Sequence, residues 1–230
     1  MSSPFEFLTP QWLYFTQLVA FLVILWFCYL WFLNSTLKKA ELQKSFDCAN
    51  RIVSLTHGLC MVFLGGIDLF LHKTDIDRKN TSYQNVTIIF SASYFVYDNL
   101  MCLFFIRPHD IDTYVHHSLA LLAIMTAYPM HGAGAIIWGA WTGELSNFYM
   151  HLRKILENEG LRHTKAFEIA EMLYFAIYIV ARSTSTPIII VSCLMARNVP
   201  PIIPVCACLL MAQSLYYMKI MLKLIRKKFE

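Results

Sequence analysis

The sequence is poor in charged residues, which make up 15% of its 230 positions, whereas soluble domains usually carry about a quarter. The deficit is concentrated in long uncharged apolar runs, a pattern typical of a chain solvated by lipid. The net charge is only +4, and the basic residues lie between the apolar runs instead of along one solvated face. We therefore expect no nucleic-acid partner.

The chain also lacks Gly/Ser-rich linkers, zinc-finger cysteine spacings and a repeated unit, so we expect a single region without a metal site. Most of its seven cysteines lie inside apolar runs, where cysteine behaves as a small hydrophobic residue. No run carries two histidines at positions i and i+4, the spacing with which a helix binds zinc. These thiols are predicted to be structural.

The apolar runs predict an all-α membrane protein with about seven transmembrane helices. Residues 12–33 form an uncharged run of 22 residues, enough to cross a hydrocarbon core of about 30 Å. It is too long for the apolar region of a signal peptide, and no basic segment precedes it. Six more runs follow, at about 52–71, 86–106, 114–130, 133–150, 167–192 and 199–222.

The basic residues between the runs predict the orientation. Segments 34–51, 107–113, 151–166 and the end from 219 together hold 14 lysines and arginines, whereas the segments of the opposite side hold 4. Basic loops remain on the cytosolic side of a membrane. We therefore expect a lumenal or external N-terminus and a cytosolic C-terminus.

Two short signals bear on location. The chain ends Lys227-Lys228-Phe229-Glu230, which resembles the dilysine retrieval signal of endoplasmic reticulum membrane proteins; alternatively, these lysines only flank the last span. Asn80 and Asn85 each begin an N-x-S/T sequon in a loop predicted to be lumenal, although Asn85 is close to the membrane. The endoplasmic reticulum is the expected membrane.

Polar and ionisable residues interrupt six of the seven runs. A charged side chain at mid-bilayer costs a few kcal/mol or more, so it normally faces a partner or a cavity. The first run contains no such residue, which predicts a six-helix bundle around a polar interior with the first helix outside it. The intramembrane set is His57, Asp98, His116, His117, Glu144, Asn147, Glu171, Arg182 and Gln213.

Helical spacing places several of these residues on shared faces. Glu144, Asn147 and His151 follow the i, i+3, i+7 pattern, and Tyr94 lies one turn before Asp98. These faces predict one polar interior in which the side chains of different helices meet.

Other pairs suggest specific partners. Asp112 precedes His116 by one turn and could fix its tautomer. Glu171 and Arg182 lie on one stripe of the sixth run, where we expect them to form an ion pair. His116 and His117 point about 100° apart, so at most one is expected to face fully inward. Considered alone, His57 and Gln213 are more typical of helix–helix hydrogen bonds.

Five short motifs follow one another along the chain: RIVSLTHG from Arg51, YFVYD ending at Asp98, HHSL from His116, GELSN from Gly143 with Arg153 after it, and YIVAR ending at Arg182. Their order resembles the TLC domain. The match runs from about residue 45 to the C-terminus and is closest to the small TLC domain-containing transmembrane proteins. It divides the chain into an N-terminal transmembrane helix with a basic cytosolic linker at 1–44 and a TLC domain at 45–230.

The resemblance also implies a site. The ceramide-synthase branch transfers a fatty acyl group from acyl-CoA to a long-chain amine and carries a His-His pair followed by two aspartates. Glu144 and Asn147 stand where those aspartates would be, so one acid is retained and the other is an amide. An imidazole suits the base or nucleophile that such chemistry requires. Candidate catalytic residues are His116, His117, Glu144 and Asp98; candidate polar residues of a lipid pocket are His57, Asn147, Tyr94, Tyr178, Arg182 and Gln213.

Three functions remain open at this point. The leading interpretation is a protein of membrane lipid metabolism or homeostasis with an intramembrane polar lipid-binding site. The second is an acyl-CoA-dependent acyltransferase, the only case in which a cofactor is expected. The third is a non-catalytic accessory subunit of a larger membrane protein complex. Whether the chain is an enzyme is not decided by its residues.

Overall fold

The computed structural model describes residues 9–37, 42–72, 75–106 and 111–229, with side chains at 42–44 and 227–229 excepted. Within these ranges the chain is all α-helical, and its only extended pairing is one isolated bridge between Lys79 and His131. The helices are α1 (Pro10–Thr36), α2 (Leu42–His72), α3 (Ser82–Phe104), α4 (Ile111–Ala127), α5 (Ala133–Asn158), α6 (Lys165–Met195) and α7 (Ile202–Phe229).

Each helix covers one of the seven apolar runs, so the prediction of an all-α polytopic membrane protein is confirmed. Helices α1, α2, α3, α6 and α7 are long and apolar enough to cross a membrane. The two others are the short α4, with 17 residues, and α5, which becomes polar from Glu144 onward. Parts of the predicted basic segments, residues 38–41 and 107–110, lie outside the described residues.

Six helices form a ring, and the first lies outside it. Around the ring, α2 packs against α5, α5 against α6, α6 against α7, α7 against α4, α4 against α3, and α3 against α2. Helix α1 contacts only α3 and α2 among the described helices. This arrangement confirms the predicted six-helix bundle with one additional N-terminal helix.

Helix α1 has no charged residue, and the sequence suggested that it takes no part in polar contacts. In the structure it makes two side-chain hydrogen bonds to neighbouring helices. The Trp26 indole N–H donates a hydrogen bond to the Ser93 hydroxyl of α3 at 3.1 Å, and Tyr29 bonds to Thr56 of α2 at 3.2 Å. Trp26 is buried and lies edge-on to His57, with ring centroids 6.4 Å apart. Helix α1 therefore closes the outer side of the bundle around His57.

Two glycines of α2 allow it to approach α5 closely. A Cβ at Gly65 would lie 2.8 Å from the Cβ of Trp141, and a Cβ at Gly58 would lie 2.7 Å from the Glu144 carboxylate. Real Cβ atoms do not approach other heavy atoms so closely, because interiors are packed to van der Waals contact. The close α2–α5 contact therefore depends on glycine at position 65, while glycine at position 58 leaves the space that the Glu144 carboxylate occupies.

At the end of the bundle predicted to be lumenal, Asn80 ties the connections together. Its side-chain amide donates to the Ala127 carbonyl at 2.9 Å, and its side-chain oxygen accepts from the Ala133 N–H at 3.0 Å. Its own main-chain N–H donates to the Met130 carbonyl at 2.9 Å. The loop after α2 is thereby joined to the turn between α4 and α5.

A second tie at this end involves Asp77, whose carboxylate accepts the Asn198 main-chain N–H at 2.7 Å. This hydrogen bond stabilises the charged carboxylate and lowers the pKa of Asp77. The loop after α2 is thus also joined to the connection between α6 and α7.

Candidate functional site

A polar cavity of about 320 Å³ lies at the centre of the helical ring, and all six helices from α2 to α7 contribute to its lining. Its volume is at the lower end of the range of about 300–1,000 Å³ found for small-molecule pockets. Nine of the ten candidate site residues line it: Tyr94, Asp98, His116, His117, Glu144, Asn147, Tyr178, Arg182 and Gln213. The structure thus brings these residues together, while their chemical roles remain predictions.

His117 and Asp98 form the closest pair of ionisable groups in the cavity. Nδ1 of His117 on α4 lies 2.8 Å from Oδ2 of Asp98 on α3, although the N–H direction departs from the straight line of a good hydrogen bond. The carboxylate favours the tautomer with its proton on Nδ1. The other ring nitrogen, Nε2, has no hydrogen-bond partner among the described residues and is left for a ligand.

His116 is held from α7, and the expectation that Asp112 fixes its tautomer is wrong. Nδ1 of His116 lies 3.0 Å from Oε1 of Gln213, and Nε2 of Gln213 donates to the Asp112 carbonyl at 2.9 Å. Since a carbonyl can only accept, the amide oxygen must face His116, so Nδ1 of His116 carries the proton. The Asp112 carboxylate instead accepts from the Tyr217 hydroxyl at 2.8 Å.

Both histidines of the pair line the cavity, with ring centroids 5.6 Å apart. The prediction that at most one of them faces fully inward stays a prediction, because both side chains are only partly buried. The angle of about 100° between successive residues separates two side chains on an isolated helix, but a cavity bounded on several sides by other helices accommodates both.

Glu144 is directed towards α2. One carboxylate oxygen accepts from the Asn147 amide at 3.3 Å, and the other lies 3.7 Å from Nδ1 of His57. The Asn147 side chain is a neutral amide, so it cannot supply a second negative charge. Its hydrogen bond instead orients the Glu144 carboxylate. Gly58 provides the space into which this carboxylate fits.

His57 is the one candidate that does not line the cavity. It is fully buried behind the cavity wall, stacked on the Tyr94 ring with centroids 3.9 Å apart and planes 10° apart. Its Nε2 lies 3.3 Å from the Ser91 hydroxyl. These contacts agree with the plainer interpretation of His57 as a helix–helix packing residue.

The expectation that Arg182 and Glu171 form an ion pair is wrong. Glu171 pairs with Arg153 of α5 at 3.1 Å, while the Arg182 guanidinium lies over the Tyr178 ring at 5.5 Å. Eleven residues of helix separate Glu171 from Arg182, which corresponds to about 16 Å along the axis. The two side chains lie on the same face of α6 but at different positions along its axis.

Several lining residues were not among the sequence candidates, and the polar or charged ones on α2 and α5 are Arg51, Ser54 and His151. His151 is buried, and its Nδ1 has no hydrogen-bond partner among the described residues. In the sequence, His151 follows Glu144 by seven residues, which places both side chains on one helix face. That spacing was the signal by which His151 could have been identified as a lining residue. Arg51 begins the first motif of the resemblance, whereas nothing in the sequence pointed to Ser54.

The fold and the cavity together define a multi-pass helical membrane protein built as a six-helix ring around a polar centre. A family model described as the TLC domain matches residues 47–224, well over half of the chain. The chain therefore belongs to the TLC domain family, as its motifs predicted.

Proposed function

We propose that this protein binds part of a membrane lipid in its central cavity and acts in membrane lipid metabolism or homeostasis. The observation that carries the proposal is the convergence of polar side chains from six helices on one cavity inside a bundle whose outer surface is apolar. Polar groups within a membrane require partners, and a cavity lined by them suits the polar part of a lipid.

The position of the cavity supports an orientation for that lipid. Arg51 lies near the start of α2, His151 near the end of α5, and Tyr217 in the second half of α7. In an alternating bundle these helix ends share one side, the side that the charge distribution predicts to be cytosolic. The polar end of the lipid is proposed to enter from there.

An acyl-CoA-dependent acyltransferase is the second candidate, favoured by the contact between His117 and Asp98. In that case His117 would accept the proton of a long-chain amine through Nε2 as the amine attacks the acyl thioester, with Asp98 stabilising the resulting imidazolium. The new C–N bond replaces the C–S bond, and the imidazolium returns the proton to the departing thiolate of CoA. The substitution of an amide for one family carboxylate, at Asn147, weighs against it. A non-catalytic subunit of a larger membrane complex is the third candidate, in which the cavity only holds a lipid.

The experiment is identification of the lipids retained by the purified protein. The protein would be extracted, reconstituted in nanodiscs of one synthetic phosphatidylcholine, and analysed by native mass spectrometry. We expect about one endogenous lipid per chain in the wild type and a clear loss in Ser54→Leu, whose larger side chain fills cavity volume. His163→Ala, in the exposed α5–α6 connection, is the control. Equal lipid retention in both variants would mean that the lipid is only peripheral and would contradict the proposal.

The proposed location is the endoplasmic reticulum, with the C-terminus in the cytosol. The side chains of Lys227 and Lys228 lie outside the described part of the structure, so this part of the proposal rests on the sequence. Replacing both lysines by serine should release the protein towards the cell surface. Unchanged reticular staining would show that they only flank the last helix.

A further inference from the structure

A charged side chain halfway along α6 has no anionic partner within ion-pair distance among the described residues. Arg182 is near the middle of α6, which runs from Lys165 to Met195, and it lines the central cavity. Within the described part of the chain, no carboxylate oxygen lies within 4.0 Å of its guanidinium. A charge removed from water at this depth requires compensation by an opposite charge or by hydrogen bonds.

The surroundings hold the Arg182 guanidinium in place without neutralising it. One side faces the Tyr178 ring at 5.5 Å, and the other lies against α5, where a Cβ at Gly143 would be 3.1 Å from Nη2. The Nε atom is buried and has no hydrogen-bond partner among the described residues. The guanidinium is thus fixed between a ring and a helix backbone, at the cavity wall.

The nearby carboxylates are committed elsewhere. Glu144 follows Gly143 directly, but its carboxylate lies against Gly58 of α2 and accepts from Asn147. Asp98 lies beside His117. Glu171, the partner expected from the sequence, pairs with Arg153. Glu144 interacts with Arg182 electrostatically, but no described carboxylate lies within ion-pair distance of the guanidinium, which leaves room for an anionic group of a ligand at the cavity wall.

We propose that Arg182 binds the anionic group, a carboxylate or a phosphate, of an amphiphilic lipid whose polar end occupies the cavity. This inference rests on the proposed lipid-binding function and specifies the ligand class. A guanidinium presents N–H donors in a planar fork that matches both groups. The anion is carried on an acyl chain, because the site lies midway along a membrane-spanning helix in a bundle surrounded by lipid.

The test compares pairs of probes that share a hydrocarbon chain and differ in whether the polar head group is charged. The wild-type protein in phosphatidylcholine nanodiscs would be titrated with palmitate against hexadecanol, with 1-oleoyl lysophosphatidate against mono-oleoylglycerol, and with inorganic phosphate alone. We expect at least one charged member to bind about tenfold or more tightly than its uncharged partner. Arg182→Gln should abolish this difference by lowering the affinity for the charged probe to that for its uncharged partner. Arg182→Lys should retain part of it, and Arg162→Gln, at an exposed loop position, should retain all of it.

Gly143→Ala provides a second variant that keeps the arginine. Its added methyl group would lie 3.1 Å from Nη2 and displace the guanidinium by a few tenths of an ångström, so the charge preference should fall while hexadecanol binding persists. This variant and Arg182→Lys test the proposal even if Arg182→Gln fails to fold.

The outcomes separate this inference from the proposed function. Equal binding of charged and uncharged probes by the wild type, or an unchanged preference in the Arg182→Gln and Gly143→Ala variants, would overturn the anion site while leaving a lipid cavity. Inorganic phosphate competing as strongly as lysophosphatidate would show that the site takes a free anion and would overturn the lipid-borne form. Absence of binding by every amphiphile would overturn the lipid-binding function itself.

Discussion

The carboxylate of Glu144 occupies space that only glycine at position 58 leaves open, since a Cβ at Gly58 would lie 2.7 Å from Oε2 of Glu144. This contact joins α2 to the cavity and makes one glycine a determinant of the site. Gly65, two turns further along the same helix, makes a comparable contact with Trp141. The two contacts differ in whether the neighbouring atom can move.

Alanine substitutions at three glycines should therefore have three different effects. Gly58→Ala should leave the fold intact, because the end of the Glu144 side chain can shift, but should reduce lipid retention. Gly65→Ala should destabilise the protein by about 1–3 kcal/mol, because the Cβ of Trp141, 2.8 Å away, cannot rotate aside. Gly139→Ala, with no atom within 4 Å, should be neutral or slightly stabilising. Thermal unfolding and lipid mass spectrometry on the three purified variants would check this order.

Replacing His117 should distinguish a catalyst from a binder. If His117 is a general base, His117→Ala should lower turnover of the lipid substrate by about 100- to 10,000-fold. Glu144→Gln should impair turnover less, since its carboxylate contacts Asn147 and approaches His57 instead of His117. The measurement is lipidomics of cells that express each variant at matched levels, with His163→Ala as the control. Matching lipid profiles with a well-folded His117→Ala protein would remove the enzyme hypothesis.

Asn80 should be structural and unmodified, despite its sequon. Its side-chain nitrogen donates to the Ala127 carbonyl and its oxygen accepts from Ala133, so the folded protein does not present the amide to a glycan. We expect no change in gel mobility after endoglycosidase treatment. Asn80→Ala should lower the free energy of unfolding by about 1–3 kcal/mol, because it leaves the buried Ala133 N–H without its acceptor. Lys79→Gln, at the exposed neighbouring position, should have no comparable effect. A glycosylated wild-type protein would contradict this assignment.

Asp77 should make stability depend on pH in the acidic range. Its pKa is lowered in the folded protein by the Asn198 main-chain N–H, so its contribution is fully present above the unfolded-state pKa of about 3.9. The contribution is lost as the pH falls through the lower folded-state value. The melting temperature of the wild type should therefore approach that of Asp77→Asn as the pH is lowered from 6 to 3. A constant difference between the two proteins over this range would contradict the assigned hydrogen bond.

The predicted orientation can be tested in sealed microsomes. Fourteen basic residues on one side against four on the other predict a cytosolic C-terminus. A C-terminal epitope tag should be digested by added protease, while an N-terminal tag should be protected until detergent is added. Protection of the C-terminal tag in intact microsomes would reverse the orientation and place Arg51 and His151 towards the lumenal side.

The sequence by itself determined the helices and which intramembrane polar residues face the cavity. Seven apolar runs become seven helices because an unpaired backbone is too costly in lipid for any other structure to span it. Asp98, His117, Glu144 and Arg182 line one cavity because a polar group in a membrane helix turns away from the hydrocarbon. This rule requires only the position of each residue along the chain, which the sequence contains.

Only the tertiary structure decided which groups are partners. The ring places α5 beside α6 and α4 beside α7. Glu171 of α6 therefore meets Arg153 of α5, and His116 of α4 meets Gln213 of α7, in place of the partners that spacing within one helix suggested. A helical repeat defines which side chains share a face, but the identity of the facing helix and its depth depend on packing of the whole bundle. The lack of an ion pair to Arg182 among the described residues is a consequence of that packing, and it could not be derived from any single helix.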